Sequence, residues 1–285
     1  GQFQFAQLLG QVQRAEFRVG IRVVAEEVAL GRDAARQVRV RPHLVADDEE
    51  TAAGAVAREQ VEHARRQYKK DRDPREPILE PKRRTLVHFA VDTESVLMTT
   101  RLGGTATHFL PFNRGCDGGA GNPTDPSGRT YRTAYLWEEI LERHSVLDLL
   151  ARFIHLQVDE KRDDQGRKVR TESMIFPRYH QLEAVRKLTA AARNEGPGHN
   201  YLVEHSAGSG KSNTIGWLAH RLASLHDASN RRVFHSVVVV TDRVVLDQQL
   251  QDTIYQFEHK RGVVEKIDEH SKQLAAALDS GVPII

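Results

Sequence analysis

The chain reads as an α/β protein in which a doubly wound parallel sheet, residues 173–285, follows a smaller α+β segment. Three observations predict this. From residue 179 onward, apolar runs of strand length alternate with segments of helical period. The stretch Ser206 Ala207 Gly208 Ser209 Gly210 Lys211 Ser212 lies between a strand-like Tyr201 Leu202 Val203 and a helical run, the setting a phosphate-binding loop requires. Ahead of it, strand and turn patterns occur with only short helices between them.

The first elements are the least regular. Before Lys69 every basic residue other than histidine is arginine, whereas lysine, proline and aromatic residues occur in ordinary proportions afterwards. Residues 1–57 are therefore atypical. One reading makes this region helical, with Glu59 to Lys70 as a charged surface helix. The other, adopted here, is that residues 1–57 are not native coding sequence, for instance an out-of-frame translation, and pack poorly. Residues 58–172 form the smaller segment. Leu86–Val91 and Val96–Thr100 predict a hairpin closed by Asp92 to Ser95, and His108–Leu110 a further strand. The loop Asn113 to Gly128 has a length that tends to be functional or mobile. Trp137 to Arg143 predicts one helix, and Ser145 with Asp148 a capping box for another over Val146 to Phe153. The polar turn Asp163 to Gly166 links two short strands near the boundary with the C-terminal unit.

In residues 173–285, Tyr179 to Arg193 predicts a helix with Leu182, Val185 and Leu188 on one face, stopped by Gly196. After the Gly-rich turn, Ile215, Leu218, Leu222 and Leu225 recur at helical spacing. Val237 to Val240 suits a central parallel strand, and Val245, Leu246, Leu250, Ile254 and Phe257 trace the next helix. Val263 Val264 and Val282 to Ile285 are later strands. The start at Gly1 and the stop within an apolar run predict a fragment of a longer chain.

Composition excludes several classes. A formal charge of +2 leaves nucleic-acid binding to local patches. A single cysteine, Cys116, rules out an intramolecular disulfide or a cysteine zinc cluster and fits a reducing cytoplasm. No apolar run approaches membrane-spanning length, so no membrane partner is expected.

The Gly-rich turn carries the chemistry. Gly208 and Gly210 let the backbone curl so that successive N–H groups converge on an anion at the head of a helix. Lys211 supplies a point charge to the outer phosphates, and the Ser212 hydroxyl completes the coordination of Mg2+. The strict pattern has glycine five residues before Gly210, where this chain has His205. A Gly/Ser turn that merely precedes a helix is the plain alternative.

Phe176 Pro177 Arg178 Tyr179 His180 Gln181, the loop at 206–212 and Val240 Thr241 Asp242 Arg243 Val244 Val245 Leu246, in that order, resemble the R (motor and nuclease) subunit of type I restriction enzymes. Upstream, Arg66 to Arg75, Val87 to Asp92 and Gly118 to Pro123 are similar to that family's wording, so the resemblance spans residues 58–285. It implies a helicase superfamily 2 motor that moves double-stranded DNA while bound to methyltransferase and specificity subunits. Residues 173–285 would then be a partial RecA-like P-loop lobe, and 58–172 the remainder of a nuclease-type domain.

The resemblance also implies ATP and Mg2+ as cofactors. Arg178 and Gln181 would sense adenine; Ala207, Gly208, Ser209, Gly210, Lys211, Ser212 and Asn213 would hold the nucleotide, with Ser212 on the metal. Thr241 and Arg243 would touch the DNA backbone, where a hydroxyl and a guanidinium suit phosphate. Read on its own, Val237 to Asp242 is also a Walker B strand with Asp242 as the metal acid; the family places that acid in a later Asp-Glu pair. At the position of the family's cutting strand stand Asp47 Asp48 Glu49 Glu50 Thr51 Ala52 without a lysine, so the cutting centre is missing and no catalytic residue is assigned. Two alternatives stay open: an inactive remnant that binds no nucleotide, and a small P-loop phosphotransferase using Asp242.

Overall fold

The computed structural model describes residues 21–24, 61–162, 165–206, 208–241, 244–257, 262–267 and 271–285. Most of the atypical region, Asp47 to Ala52 included, lies outside them, as do Ala207, Asp242 and Arg243. Within that region, β1 (Ile21–Val24) is described as a strand.

A helix over residues 61–71 ends in a π turn, Gln67–Asp71, with Arg72 N–H donating to the Gln67 carbonyl. The hairpin follows as expected: β2 (His88–Val91) and β3 (Val96–Thr99) pair antiparallel, and β4 (Leu110–Pro111) adds to β3. Its turn is an Asx turn, since Asp92 Oδ1 accepts from Glu94 N at 2.7 Å and Ser95 N at 2.6 Å. The loop from Asn113 is anchored rather than free. Asn122, 1% exposed, accepts from Arg114 N and donates to Glu94 O and to Asn113 Oδ1, which in turn accepts from Val96 N. A buried amide keeps such a set because leaving it unpaired costs more than the ordering.

The two predicted helices shift. The first is a single π turn, Leu136–Ile140, burying Leu136 and Ile140. The second, α1 (Arg143–Arg152), starts earlier than a capping box at Ser145 and Asp148 requires. Glu142 is the cap: its carboxylate accepts from His144 N and Ser145 N at 2.8 and 3.0 Å, which lowers its pKa. Asp148 is thereby released for another task. The strands around residues 163–166 form a longer hairpin than expected, β5 (His155–Arg162) with β6 (Lys168–Ile175).

α2 (Tyr179–Glu195) buries Leu182, Val185 and Leu188 and ends at Gly196, φ 74°. α3 (Lys211–Ala223) buries Ile215, Leu218 and Leu222. β7, after β6 as the seventh strand (Ser236–Val239), precedes α4 (Val244–Gln256) and α5 (Ser271–Asp279). The fold is mixed α/β. Its ladders are antiparallel, β7 pairing with β1, while among the described residues parallel pairing occurs as isolated bridges, including Val237 with Ile284 and Val264 with Ile284. Tyr201–Val203 forms no named strand and carries a bridge at Val203 alone. Pro283 lacks an N–H, which limits how far the last strand can extend a ladder.

One core runs from the hairpin segment into the C-terminal unit, joining Phe112, Phe153, Leu182, Trp217, Val237 and Ile284. Polar ties reinforce it. The Trp217 indole donates to Phe153 O at 2.9 Å. Asp148 on α1 accepts from Arg221 of α3 at 2.6 Å and from Arg186 of α2 at 3.2 Å, and both guanidiniums lie near the Phe153 ring. Burial pulls the Asp148 carboxyl pKa upward, but the two guanidiniums outweigh it and hold the pKa below 3.8. The Arg221 pKa is lowered too, burial outweighing the pull of its carboxylate. The short bidentate geometry decides in favour of a fully charged pair at neutral pH.

Asp148→Asn should therefore cost about 2 kcal/mol of folding stability at neutral pH, less than the roughly 3–5 kcal/mol for breaking a fully buried pair because Asp148 is only partly buried. A depressed carboxyl pKa stabilises above the unfolded value of 3.8 and that contribution is lost as pH falls through the folded value. The gap between wild type and variant in urea titrations should shrink below about pH 4. A gap independent of pH would assign the loss to packing.

Candidate phosphate-binding site

The Gly-rich turn is curled, not extended. Ser209 N–H donates to Ser206 O at 3.3 Å, and Gly208 and Gly210 both take positive φ, 72° and 81°. Gly210, in the left-handed region, is the N-cap of α3, so Lys211, Ser212 and Asn213 form the helix's first turn, where the positive end of the dipole lies. His205 is not among the described residues of positive φ, so a side chain at this departure from the strict pattern meets no backbone strain.

Lys211 Nζ donates to the carbonyls of His205, 3.1 Å, and Ser206, 2.7 Å, and burial lowers its pKa. The ammonium thus sits inside the turn it follows. Ser209 is buried; its Oγ and that of Thr214 have no hydrogen-bond partner among the described residues.

Arg178 and Gln181 are brought to this turn by the N-terminus of α2. Gln181 Oε1 accepts from Arg178 N at 2.8 Å, the returning half of a capping box, while Nε2 donates to Ser209 O at 3.2 Å and Gly210 O at 2.9 Å. Both amide donors are therefore engaged with the turn, and one lone pair on Oε1 remains for another donor. Arg178 Nε is buried without a partner among the described residues, and burial lowers its pKa. Beside Gln181, His180 Nε2 lies 3.1 Å from Ser209 O, and the His180 and His205 rings meet edge to face at 4.9 Å. Sequence reasoning missed His180. Its signal was its place next to Gln181 combined with the histidine at 205.

Thr241 is elsewhere. It lines an apolar cavity of about 250 Å³ with Val240, Leu250, Ile254 and Ile284, to which no residue of the Gly-rich turn contributes. No group of three or more His, Cys, Asp or Glu side chains suited to a metal occurs among the described residues. Ser212 and Asn213 are half-buried at the helix start, where a hydroxyl and an amide can supply oxygen ligands. No helix among the described residues is long and apolar enough to cross a membrane.

The two glycines are not equivalent. A Cβ on Gly210 would stand 2.5 Å from Gln181 Nε2, whereas one on Gly208 would meet nothing within 4 Å. Gly208→Ala should cost about 1 kcal/mol, the left-handed penalty alone, and Gly210→Ala about 2–3 kcal/mol because Gln181 must also move. Chemical denaturation of both variants checks this, and equal losses would dissociate Gln181 from the turn.

No curated protein and no solved structure matches the chain. Residues 180–285 match the family model of the SWI2/SNF2 ATPase. That stretch contains Gln181, the Gly-rich turn and the whole of α3 and α4, and the match supports a nucleotide-binding motor domain of helicase superfamily 2.

Proposed function

We propose that the chain is the ATP-binding motor portion of a type I restriction enzyme's R subunit, with residues 173–285 as a partial RecA-like lobe and 58–172 as the remainder of a nuclease-type domain. The curled turn heading α3 carries the reading: left-handed glycines at 208 and 210 and a lysine held within the turn make an anion cradle of the phosphate-binding kind. The match to a superfamily 2 ATPase over residues 180–285 supports ATP and Mg2+ as its ligands.

In this reading the backbone from Ala207 to Ser209, with Gly210 and Lys211, takes the phosphates, and Ser212, next to Asn213, reaches the magnesium ion. Magnesium bridges phosphate oxygens and draws off their charge when bound. Arg178 and Gln181 approach the base, Gln181 through its remaining lone pair to an adenine amino group. Thr241 and Arg243 meet the backbone of double-stranded DNA, and the methyltransferase and specificity subunits select the site. The R-subunit assignment rests on the wording of residues 58–179 together with the motor motifs, since a superfamily 2 motor alone is compatible with many partners. In this reading these residues bind ATP without efficient turnover, and DNA translocation and cleavage belong to the intact enzyme.

Lys211→Ala should weaken Mg·ATP by about 30-fold, as expected for loss of a charge-assisted contact. Calorimetric titration measures this directly. Equal affinity in the two proteins would remove the phosphate site. Wild type at ~100 times its dissociation constant should gain roughly 2.7 kcal/mol of folding stability, a gain that an inactive remnant lacks. Multiple turnover by the isolated chain that depends on Asp242 would instead favour the phosphotransferase.

A further inference from the structure

A trans peptide is planar, and its C=O and N–H point in opposite directions. Whatever holds the Ser209 carbonyl also aims the Gly210 N–H, and whatever holds the Gly210 carbonyl aims the Lys211 N–H. In this chain both carbonyls are held from the α2 side, Gly210 O also accepting from Thr214 N of α3 at 3.3 Å. Gln181 Nε2 takes both, at 3.2 and 2.9 Å, and His180 Nε2 takes Ser209 O at 3.1 Å. The two consecutive N–H groups are thereby turned away from α2, at the head of α3.

From this geometry we infer that His180 is a positioning residue for phosphate binding, a role that rests on the phosphate-site reading above. A carbonyl oxygen only accepts, so the hydrogen bond to Ser209 O requires the proton on Nε2. The ring is kept in that orientation by His205, which it meets edge to face with ring planes at 87°. His205 stands where the strict loop pattern has glycine, and its ring at that position supplies the surface against which His180 is set. Gln181 and His180 form a two-residue clamp on the turn, Gln181 reaching both carbonyls and His180 doubling the hold on the first. The clamp acts on whatever the two amides bind, so its effect falls on the phosphate chain and not on the base.

The test compares Mg·ATP with Mg·tripolyphosphate, which has no base, on wild type, His180→Phe, His180→Gln and Lys211→Ala, with thermal melting of each unliganded protein. Phenylalanine keeps a ring against His205 but cannot donate; glutamine places an amide N–H close to the lost Nε2. His180→Phe should weaken both ligands by a common factor of about fivefold, the worth of one net hydrogen bond, and His180→Gln should restore both to within about twofold of wild type. Unchanged affinity in His180→Phe, or a loss confined to Mg·ATP, overturns the inference. Should the phenylalanine variant not fold, glutamine decides: near-wild-type affinity supports the inference and a fivefold or greater loss overturns it. Lys211→Ala separates the two levels. If it weakens both ligands while His180→Phe does not, only the clamp fails; if it weakens neither, the phosphate site itself fails.

Discussion

The left-handed backbone at Gly210 is the constraint on which the C-terminal unit depends. At φ 81° and ψ 37° it ends the turn from Ser206, caps α3 and brings the chain close enough to α2 for Gln181 to reach two carbonyls. A side chain there would be wrong twice, in conformation and in space. One residue thus fixes both the helix start and the approach of α2, so the turn and the two helices pack together through it.

That unit is fastened to the segment before it. Asp148 on α1 bridges Arg186 of α2 and Arg221 of α3, and the Trp217 indole reaches the Phe153 carbonyl just beyond α1. The two helices that flank the Gly-rich turn therefore share an anchor in the upstream segment. The shared hydrophobic core makes the same point with apolar groups, since burial of Phe112, Phe153 and Trp217 draws on both parts of the chain. A displacement of the turn relative to the hairpin segment must break charged hydrogen bonds as well as repack aromatic rings.

Local periodicity made α2 and α3 legible, because their apolar faces and the Gly196 stop are written within a single turn or two of helix. The β2–β3 hairpin was legible through Asp92, whose side chain satisfies the turn without help from afar. The α1 start was misread because Asp148 has a capping residue's chemistry but is claimed by arginines 38 and 73 positions later, a pairing no local pattern reveals. Sheet pairing was the hardest to read. An apolar strand such as Val237–Val239 fits either direction of neighbour, and the choice rests on partners distant in sequence, here β1 and Ile284. At the candidate site, the glycines and Lys211 declared themselves, while the engagement of Gln181 and His180 with backbone carbonyls required knowing that the N-terminus of α2 lies against the turn.

The two carbonyl contacts of Lys211 bear on what the turn can accept. An ammonium already solvated by the oxygens of His205 and Ser206 gains nothing from a neutral newcomer, which offers acceptors no better than those it displaces. A charged oxyanion is a stronger acceptor than either carbonyl, and more so as its charge rises. In the phosphate site proposed above, the backbone would thus favour ligands by valence before shape, at the expense of sugars, alcohols and other uncharged solutes.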